Sequence, residues 1–227
     1  ISPSSLCIPL NQKNIKKIKI PSHIVTSPLL RYIWEVIFLP RLLTSLKIDV
    51  LFCPGGSFNG QLPKNCKLVT TFQNMMPFDI EQRLKYPFGY MRVRNWMLER
   101  KLLNSMFKSD LVIFISDYAK SIIEKKTKNK TINSVTISHG VDPIFIRKSD
   151  NNLPFPKDFP KEFLLYVSTI DVYKAQVEVV KSYSLLKARK ANTPKLILIG
   201  SEYKPYGKLV RKLIRINKLE DDILIKE

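Results

Sequence analysis

Ser138-His139-Gly140-Val141-Asp142 and, beyond a proline-rich stretch, Leu164-Leu165-Tyr166-Val167-Ser168-Thr169-Ile170-Asp171-Val172-Tyr173-Lys174 decide how this chain is read. The first segment reads as a turn at the mouth of a strand. The second reads as an apolar strand that runs into a polar loop and then a helix, with Lys174 at its start. Together they look like the hinge between two nucleotide-binding folds, with a phosphate-sized anion site on the far side.

Working back from the hinge, Ser134–Ser138 is a strand, preceded by a helix over Tyr118–Lys128 that Ser116 or Asp117 caps. Asp110–Ile115 is a buried strand, and Met91–Phe107 a long helix with basic and apolar faces. Pro77–Tyr90 reads as loop. Lys67–Phe72 and Asp49–Cys53 are short apolar strands, the second ending in Pro54-Gly55-Gly56. Ser27–Leu46 reads as helical, with Ser27 as cap, Pro28 in the first turn and Pro40 expected to kink or divide it. Within it, Tyr32–Leu39 is apolar but broken by Glu35, so a buried or interfacial helix is expected. Residues 1–20 are Lys-rich, with Ile15, Ile18 and Ile20 hinting at a strand.

Working forward, Arg147–Lys161 carries Pro154, Pro156 and Pro160 and is the best linker candidate. The pattern then restarts: strand Phe163–Val167, helix Ala175–Arg189, strand Lys195–Ile199, loop, helix Gly207–Asn217 and strand Ile223–Ile225. Alternating strands and helices with continuously apolar strands imply parallel sheets covered on both faces. The expected organisation is an N-terminal Rossmann-like domain over 1–146, a linker over 147–162, and the beginning of a second such domain over 163–227. No internal repeat or low-complexity tract is visible.

The 227 residues carry a net charge of +19, distributed as +12 over residues 1–146 and +7 over residues 147–227. That field favours anionic partners, be they nucleotide phosphates, lipid headgroups or nucleic acid, without choosing among them. Cys7, Cys53 and Cys66 are widely spaced and lack a Cys-x-x-Cys pair, as expected of reduced packing cysteines in a cytosolic protein. No run reaches the ~20 apolar residues of a membrane span. The chain opens on Ile1-Ser2-Pro3 and ends on Ile225-Lys226-Glu227, so both ends read as cut, and the piece alone is not expected to turn over substrate.

In open parallel sheets, ligands gather beyond the carboxyl ends of the strands. That directs attention to residues 54–59, 71–78, 116–118, 139–142, 168–174 and 200–206. Lys174 at a helix start would point its ammonium and the free backbone N–H groups at one place, suited to a diphosphate. His139 is a candidate donor to a sugar hydroxyl or phosphate oxygen; a turn histidine bonded to its own backbone is the alternative. Asp142 reads as a turn-fixing residue. Gln73 and Asn74 put two amides at a strand end, suited to hydroxyls, or else form an Asn-stabilised turn. Glu124, Glu178 and Glu202 read as solvated surface. His23 and His139 are the two histidines, no metal-spaced cluster appears, and no metal or other cofactor is expected.

The segments Asp49–Gly56 and Val69–Phe78 resemble the acceptor-domain signatures of retaining glycosyltransferases of family 4, which have the GT-B fold. Ser109–Ala119 resembles that family's segment before the interdomain turn, and Ser138–Phe145 is similar to its His/Asn-Gly-Val-Asp-x-x-Phe turn. Leu165–Gln176 is similar to the opening of its donor domain. The resemblance covers nearly the whole chain from about Leu29. It implies a GT-B pair of Rossmann-like domains, both incomplete here, and transfer of a sugar from a nucleotide-sugar donor to a glycan or lipid-linked acceptor with retention, without metal. It points to the making of cell-surface polysaccharide or lipopolysaccharide.

Residue by residue, Lys174 matches the family's phosphate-binding lysine. Ser168-Thr169 stand where the family often has Gly-Arg, which removes a second cation and leaves Lys204 as a substitute. His139 falls in the cleft, while Gly55, Gly56, Gln73 and Asn74 fall on the acceptor side. The family's Gly-rich loop at the acceptor site and its Glu-x7-Glu segment have no counterpart in residues 1–227.

The expected place of action is the cytoplasm, with peripheral contact to the inner face of the membrane through Arg92, Arg94, Arg100 and Lys101. A solvated helix face explains those four residues equally well. The alternative from another class is a non-catalytic nucleic-acid-binding protein driven by the net charge. Its scattered charge and lack of a nucleic-acid motif argue against it, and no specific nucleic acid is expected as partner. An epimerase-like enzyme would need a Gly-x-x-Gly-x-x-Gly loop and a Tyr-x-x-x-Lys pair, and neither is present.

Overall fold

The computed structural model describes residues 18–128, 132–143, 146, 159–190 and 192–226. Cys7, Ile15, Ile144, Phe145 and residues 147–158 of the expected linker lie outside these. The chain divides into two units. One draws on the chain up to Phe78 and on Val93–Gly140; the other draws on Asp79–Arg92 and on the chain from Val141 onward.

The first unit is built on a parallel sheet of β1 (Val50–Cys53), β2 (Lys67–Phe72), β3 (Leu111–Phe114) and β4 (Ser134–Thr136), in that spatial order. Val50 pairs with Lys67, Val69 with Leu111 and Val112 with Ser134. Parallel strands buried on both faces read as continuous apolar runs, which is why β2 and β3 stood out. Their Phe72, Val112 and Phe114 meet Leu102 and Met106 of α5 (Tyr90–Lys108) and Ala119 and Ile123 of α6 (Asp117–Lys126) in one core. Ser116 caps α6 by accepting from the Ala119 N–H at 3.2 Å.

The helical layer before β1 consists of α1 (Ser22–Thr26), α2 (Pro28–Ile33), a π-helical stretch over Trp34–Phe38, and α3 (Leu39–Ser45). Ser27 caps α2 and Pro28 takes its first position. Pro40 divides the helix as expected, and the device is specific: the Leu39 N–H donates to the Trp34 carbonyl, five residues back. The wider turn accommodates a residue that can neither donate nor tolerate the carbonyl four residues before it. Of the two alternatives for Tyr32–Leu39, a buried or an interfacial helix, the buried one is not found. Leu29, Tyr32, Ile37 and Phe38 are exposed, because the helix rests on its neighbours mainly through Trp34, Glu35, Leu42 and Leu43. α1 was not anticipated, and Ile18–Ile20 form no strand.

The second unit has a parallel sheet of β5 (Phe163–Val167), β6 (Lys195–Ile199) and β7 (Ile223–Lys226), with β6 central and most buried. Leu196 and Leu198 pack with Val180 and Tyr183 of α7 (Gln176–Arg189) and with Val210 and Ile214 of α8 (Lys204–Ile216). Tyr183 donates to the Pro194 carbonyl at 2.9 Å, and Lys187 pairs with Asp222.

Two expectations about loops are corrected. Residues 77–90 hold a 3-10 turn (Met76–Phe78) and α4 (Ile80–Lys85). Asp79 caps α4 by accepting from the Gln82 N–H at 3.0 Å; Asp-x-x-Gln is a capping pattern that was legible and passed over. α8 begins at Lys204, three residues before Gly207, with Pro205 preorganising its first turn.

Candidate functional site

In the first unit, the loops after β1, β2, β3 and β4 emerge at the carboxyl ends of four parallel strands. The Gly56 N–H donates to the Cys53 carbonyl at 3.1 Å, closing a turn in which Gly56 has φ of 73°. A Cβ there would lie 2.8 Å from the Thr71 carbonyl oxygen, so glycine is required where this loop crosses the end of β2. Gly55 stands open to solvent.

Gln73 and Asn74 leave the end of β2 exposed. Asn74 Oδ1 accepts from the Met76 N–H at 3.1 Å, so the Asn-stabilised turn is the arrangement found. Behind this loop Phe72 stands edge-on to Phe78 and Phe114, with centroids 5.1 and 5.8 Å apart. His139 follows β4 in exposed, irregular backbone. The end of β4 is tied to α6 where Thr136 Oγ1 donates to Asp117 at 2.7 Å.

In the second unit, the loops after β5 and β6 run side by side. Ser168 N–H donates to Ile199 O, Ile170 N–H to Ser201 O, and Tyr203 N–H to Ile170 O, all at 2.8–2.9 Å. Gly200, with φ of 145°, allows this: a Cβ there would sit 2.3 Å from the Ser168 carbonyl oxygen. Ser168 and Thr169 are thus joined to the residues that lead into α8, whose first residue is the exposed Lys204.

Lys174 is not the first residue of the helix. It ends a 3-10 turn (Val172–Lys174), and α7 starts at Gln176 behind Ala175, which is left-handed at φ 57°. Its own N–H is donated to the Asp171 carbonyl at 2.9 Å, and the Val177 N–H to the Tyr206 phenol at 3.0 Å. Two of the backbone donors expected to face a ligand are therefore used within the protein. The Lys174 ammonium lies 4.9 Å from the centroid of the Tyr173 ring.

The loop is fastened by groups that sequence reasoning did not single out. Tyr166 donates to the Lys174 carbonyl at 2.6 Å, and Tyr86 to Asp171 Oδ1 at 2.6 Å. Gln176, fully buried, donates to the Thr169 carbonyl at 2.8 Å and accepts from the Asp171 N–H at 3.3 Å. Burial, and then the hydrogen bond to the Asp171 carboxylate, hold the Tyr86 phenol far above its ordinary range. Glu202, expected on a solvated surface, is largely buried and paired with Arg211, whereas Glu124 and Glu178 are exposed.

The basic residues at the start of α5 do not form one free face. Arg92 donates to the carbonyls of Tyr86 and Leu84 at 2.7 and 2.6 Å, and Arg100 lies 4.1 Å over the Trp96 ring. Burial pulls the Lys101 ammonium below its ordinary pKa. Cys53 and Cys66 are free thiols, pushed up chiefly by burial, as packing cysteines are.

Residues 3–145 match the sequence model of Glycosyltransferase Family 4, well over half the chain. The chain belongs to glycosyltransferase family 4. A search of curated protein sequences finds no match. Among solved structures, this family 4 chain is similar to a sucrose-phosphate synthase from Thermosynechococcus elongatus (TM-score 0.58, 15% identity, 91% of this chain and 51% of that one). It is also similar to a glycosyltransferase from Rickettsia africae (0.52, 17%, 92% and 53%) and to TarM from S. aureus (0.53, 17%, 82% and 35%). The TarM structure was determined with fondaparinux, alpha-GlcNAc-glycerol and UDP. The shared fold is GT-B, and the chain spans between about a third and a half of the length of these proteins.

Among the described residues of this family 4 chain, no group of three or more His, Cys, Asp or Glu side chains is placed to hold a metal ion. No described helix is long and apolar enough to cross a membrane.

Proposed function

We propose that the protein belongs to an enzyme that transfers a sugar from a nucleoside-diphosphate sugar to a glycan or lipid-linked acceptor with retention at the anomeric carbon, in cell-surface polysaccharide or lipopolysaccharide synthesis. The observation that carries this reading is the loop Ser168–Lys174 at the carboxyl end of β5, zipped to the loop that opens α8. Family 4 membership and the UDP bound to TarM support it.

In the reaction, the bond between the anomeric carbon and the diphosphate oxygen breaks. A bond to the acceptor hydroxyl oxygen forms, and the hydroxyl proton leaves with the diphosphate. Negative charge gathers on the diphosphate as its bond breaks, so cations and hydroxyl donors held in place there lower the barrier. Lys174 and Lys204 supply charge, and Ser168 and Thr169 supply donors. His139 contacts the sugar or a phosphate oxygen. Gly55 and Gly56 form the floor for the acceptor, with Gln73 and Asn74 contacting its hydroxyls.

Calorimetric titration of the chain with UDP tests the donor half of this reading. Binding that weakens at least tenfold in Lys174→Ala, with Lys204→Ala weaker by less, is the expected result. Equal affinity of both variants and the parent chain would sink the assignment.

Contact with an anionic membrane is a second component, favoured by exposed Leu29, Tyr32, Ile37 and Phe38 beside Arg31 and Arg41. Co-sedimentation with phosphatidylglycerol vesicles but not phosphatidylcholine vesicles, lost in Ile37→Asp, is expected; equal sedimentation with both removes it.

A further inference from the structure

Residues Asp79–Arg92 cluster with the second unit, although the elements on either side of them in sequence belong to the first. At the end of α4 the chain turns extended at Tyr86, whose side chain is fully buried and lies 5.9 Å, centroid to centroid, from Tyr203. Arg92 fixes this turn from behind by donating to the carbonyls of Leu84 and Tyr86. Tyr86 is thereby held with its hydroxyl 2.6 Å from Asp171 Oδ1. The same oxygen accepts the Val172 N–H at 2.7 Å and so caps the 3-10 turn that ends in Lys174. One carboxylate oxygen stands between a buried phenol and the start of the lysine turn.

We propose that Tyr86 is a positioning residue for Lys174, acting through Asp171 across 85 residues of sequence. The inference rests on the reading of this loop as the seat of the donor diphosphate. Tyr166 and Gln176 grip the loop from β5 and α7, the elements that flank it. Tyr86 grips it from a segment outside that framework. The backbone bonds to the loop before α8 end at Ile170, and beyond them a turn held by Tyr166 and Gln176 alone would be free to pivot and carry Lys174. Tyr86, acting on Asp171, removes this freedom. The Lys174 ammonium rests against its neighbour Tyr173, inside the same turn. Its place is therefore set by how the turn as a whole is oriented.

The test uses Tyr86→Phe, which keeps the buried ring and deletes the hydroxyl. Amide exchange in the full chain is followed over residues 170–177 and, as an internal reference, over β6. Loss of a hydrogen bond to a charged group corresponds to about a tenfold change. The expected result is about tenfold faster exchange over residues 170–177, unchanged exchange in β6, and UDP binding weakened about three- to tenfold. Asp171→Asn, whose side-chain oxygen still accepts from both donors, stays near the parent chain, whereas Asp171→Ala behaves like Tyr86→Phe.

Unchanged exchange over residues 170–177 in Tyr86→Phe overturns the proposal. So does equal acceleration in β6, which would make Tyr86 a general stabiliser of the unit. Failure of the parent chain to bind UDP overturns the donor-site reading, and the positioning role with it; UDP binding that is intact in Tyr86→Phe overturns the role of Tyr86 alone.

Discussion

The loop after β2 and the loop after β5 both leave the carboxyl end of a parallel strand, one interior and one at a sheet edge, and are held by different forces. Residues 73–78 rest on aromatic rings packed edge to face, Phe72 against Phe78 and Phe114, with one Asn74 turn bond above them. Residues 168–176 rest on hydrogen bonds from Tyr86, Tyr166 and Gln176. Ring packing is weakly directional and leaves the polar groups at the tip, Gln73 and Asn74, to face solvent. Hydrogen bonds from buried donors fix angles as well as distances. On the proposed function, the second kind suits a loop that holds a cation against a compact diphosphate, and the first a loop that meets varied hydroxyls.

The largest effect should come from breaking the aromatic support. Phe78→Ala removes a buried ring and leaves a cavity, a loss of about 3–5 kcal/mol. Both tryptophans, Trp34 and Trp96, lie in the first unit. Their fluorescence transition in urea should therefore move to lower concentration, while the exchange pattern of residues 168–176 is kept. The matching change in the second unit is Gln176→Leu, which strips the Thr169 carbonyl and the Asp171 N–H of a partner at about 1–3 kcal/mol. Here the tryptophan transition should stay in place while tyrosine emission and exchange over residues 168–176 report the loss. A shift of both probes by the same amount would erase the contrast between the two loops.

A smaller change sharpens it in the opposite direction. Ala175 is left-handed, a conformation that costs a residue with a Cβ about 1 kcal/mol. Ala175→Gly should therefore raise the second unit's stability by about 0.5–1 kcal/mol by relieving that strain, less glycine's entropic cost. The smallest effect concerns pH. The Asp110 carboxylate accepts from the Leu68 N–H and from Lys67, which holds its pKa below the ordinary 3.8. A depressed carboxylate gives stability that is present above its unfolded pKa and is lost as pH falls through the lower folded value. Asp110→Asn should flatten the drop in first-unit stability below pH ~4 and leave the second unit's acid limb unchanged. Thermal melts at a series of pH values, followed by tryptophan emission, measure it.

Most of the frame was legible because buried parallel strands announce themselves. Lys67–Phe72, Phe163–Val167 and Lys195–Ile199 were expected with the bounds found. α8 starts three residues ahead of the expected Gly207, because Lys204-Pro205 already satisfies a first helical turn. In the site, Lys174 stood out from its strand–loop–helix setting, but its fastenings did not. Tyr86 reaches Asp171 across 85 residues, and no periodicity or spacing encodes such a pair. Gln176 resembled any polar residue at a helix start until its burial assigned both ends of its amide. For Tyr32–Leu39 the sequence left a buried and an interfacial helix open, because an apolar run does not say what covers it. The exposure of Tyr32, Ile37 and Phe38 rules out the buried one.

The π turn ahead of Pro40 also resets the helix's angular bookkeeping. A turn closed by a bond five residues back holds one residue more than an α turn, and each α-helical residue advances the face by about 100°. Pro28–Ile33 and Leu39–Ser45 therefore do not share a common wheel, and a stripe drawn through one cannot be continued into the other. Deleting a single residue between Trp34 and Phe38 would leave Leu43 in its pocket and swing the whole of Pro28–Ile33 by about that angle. Length is thus constrained here apart from side-chain identity, a distinction that a scan of point mutants alone would pass over.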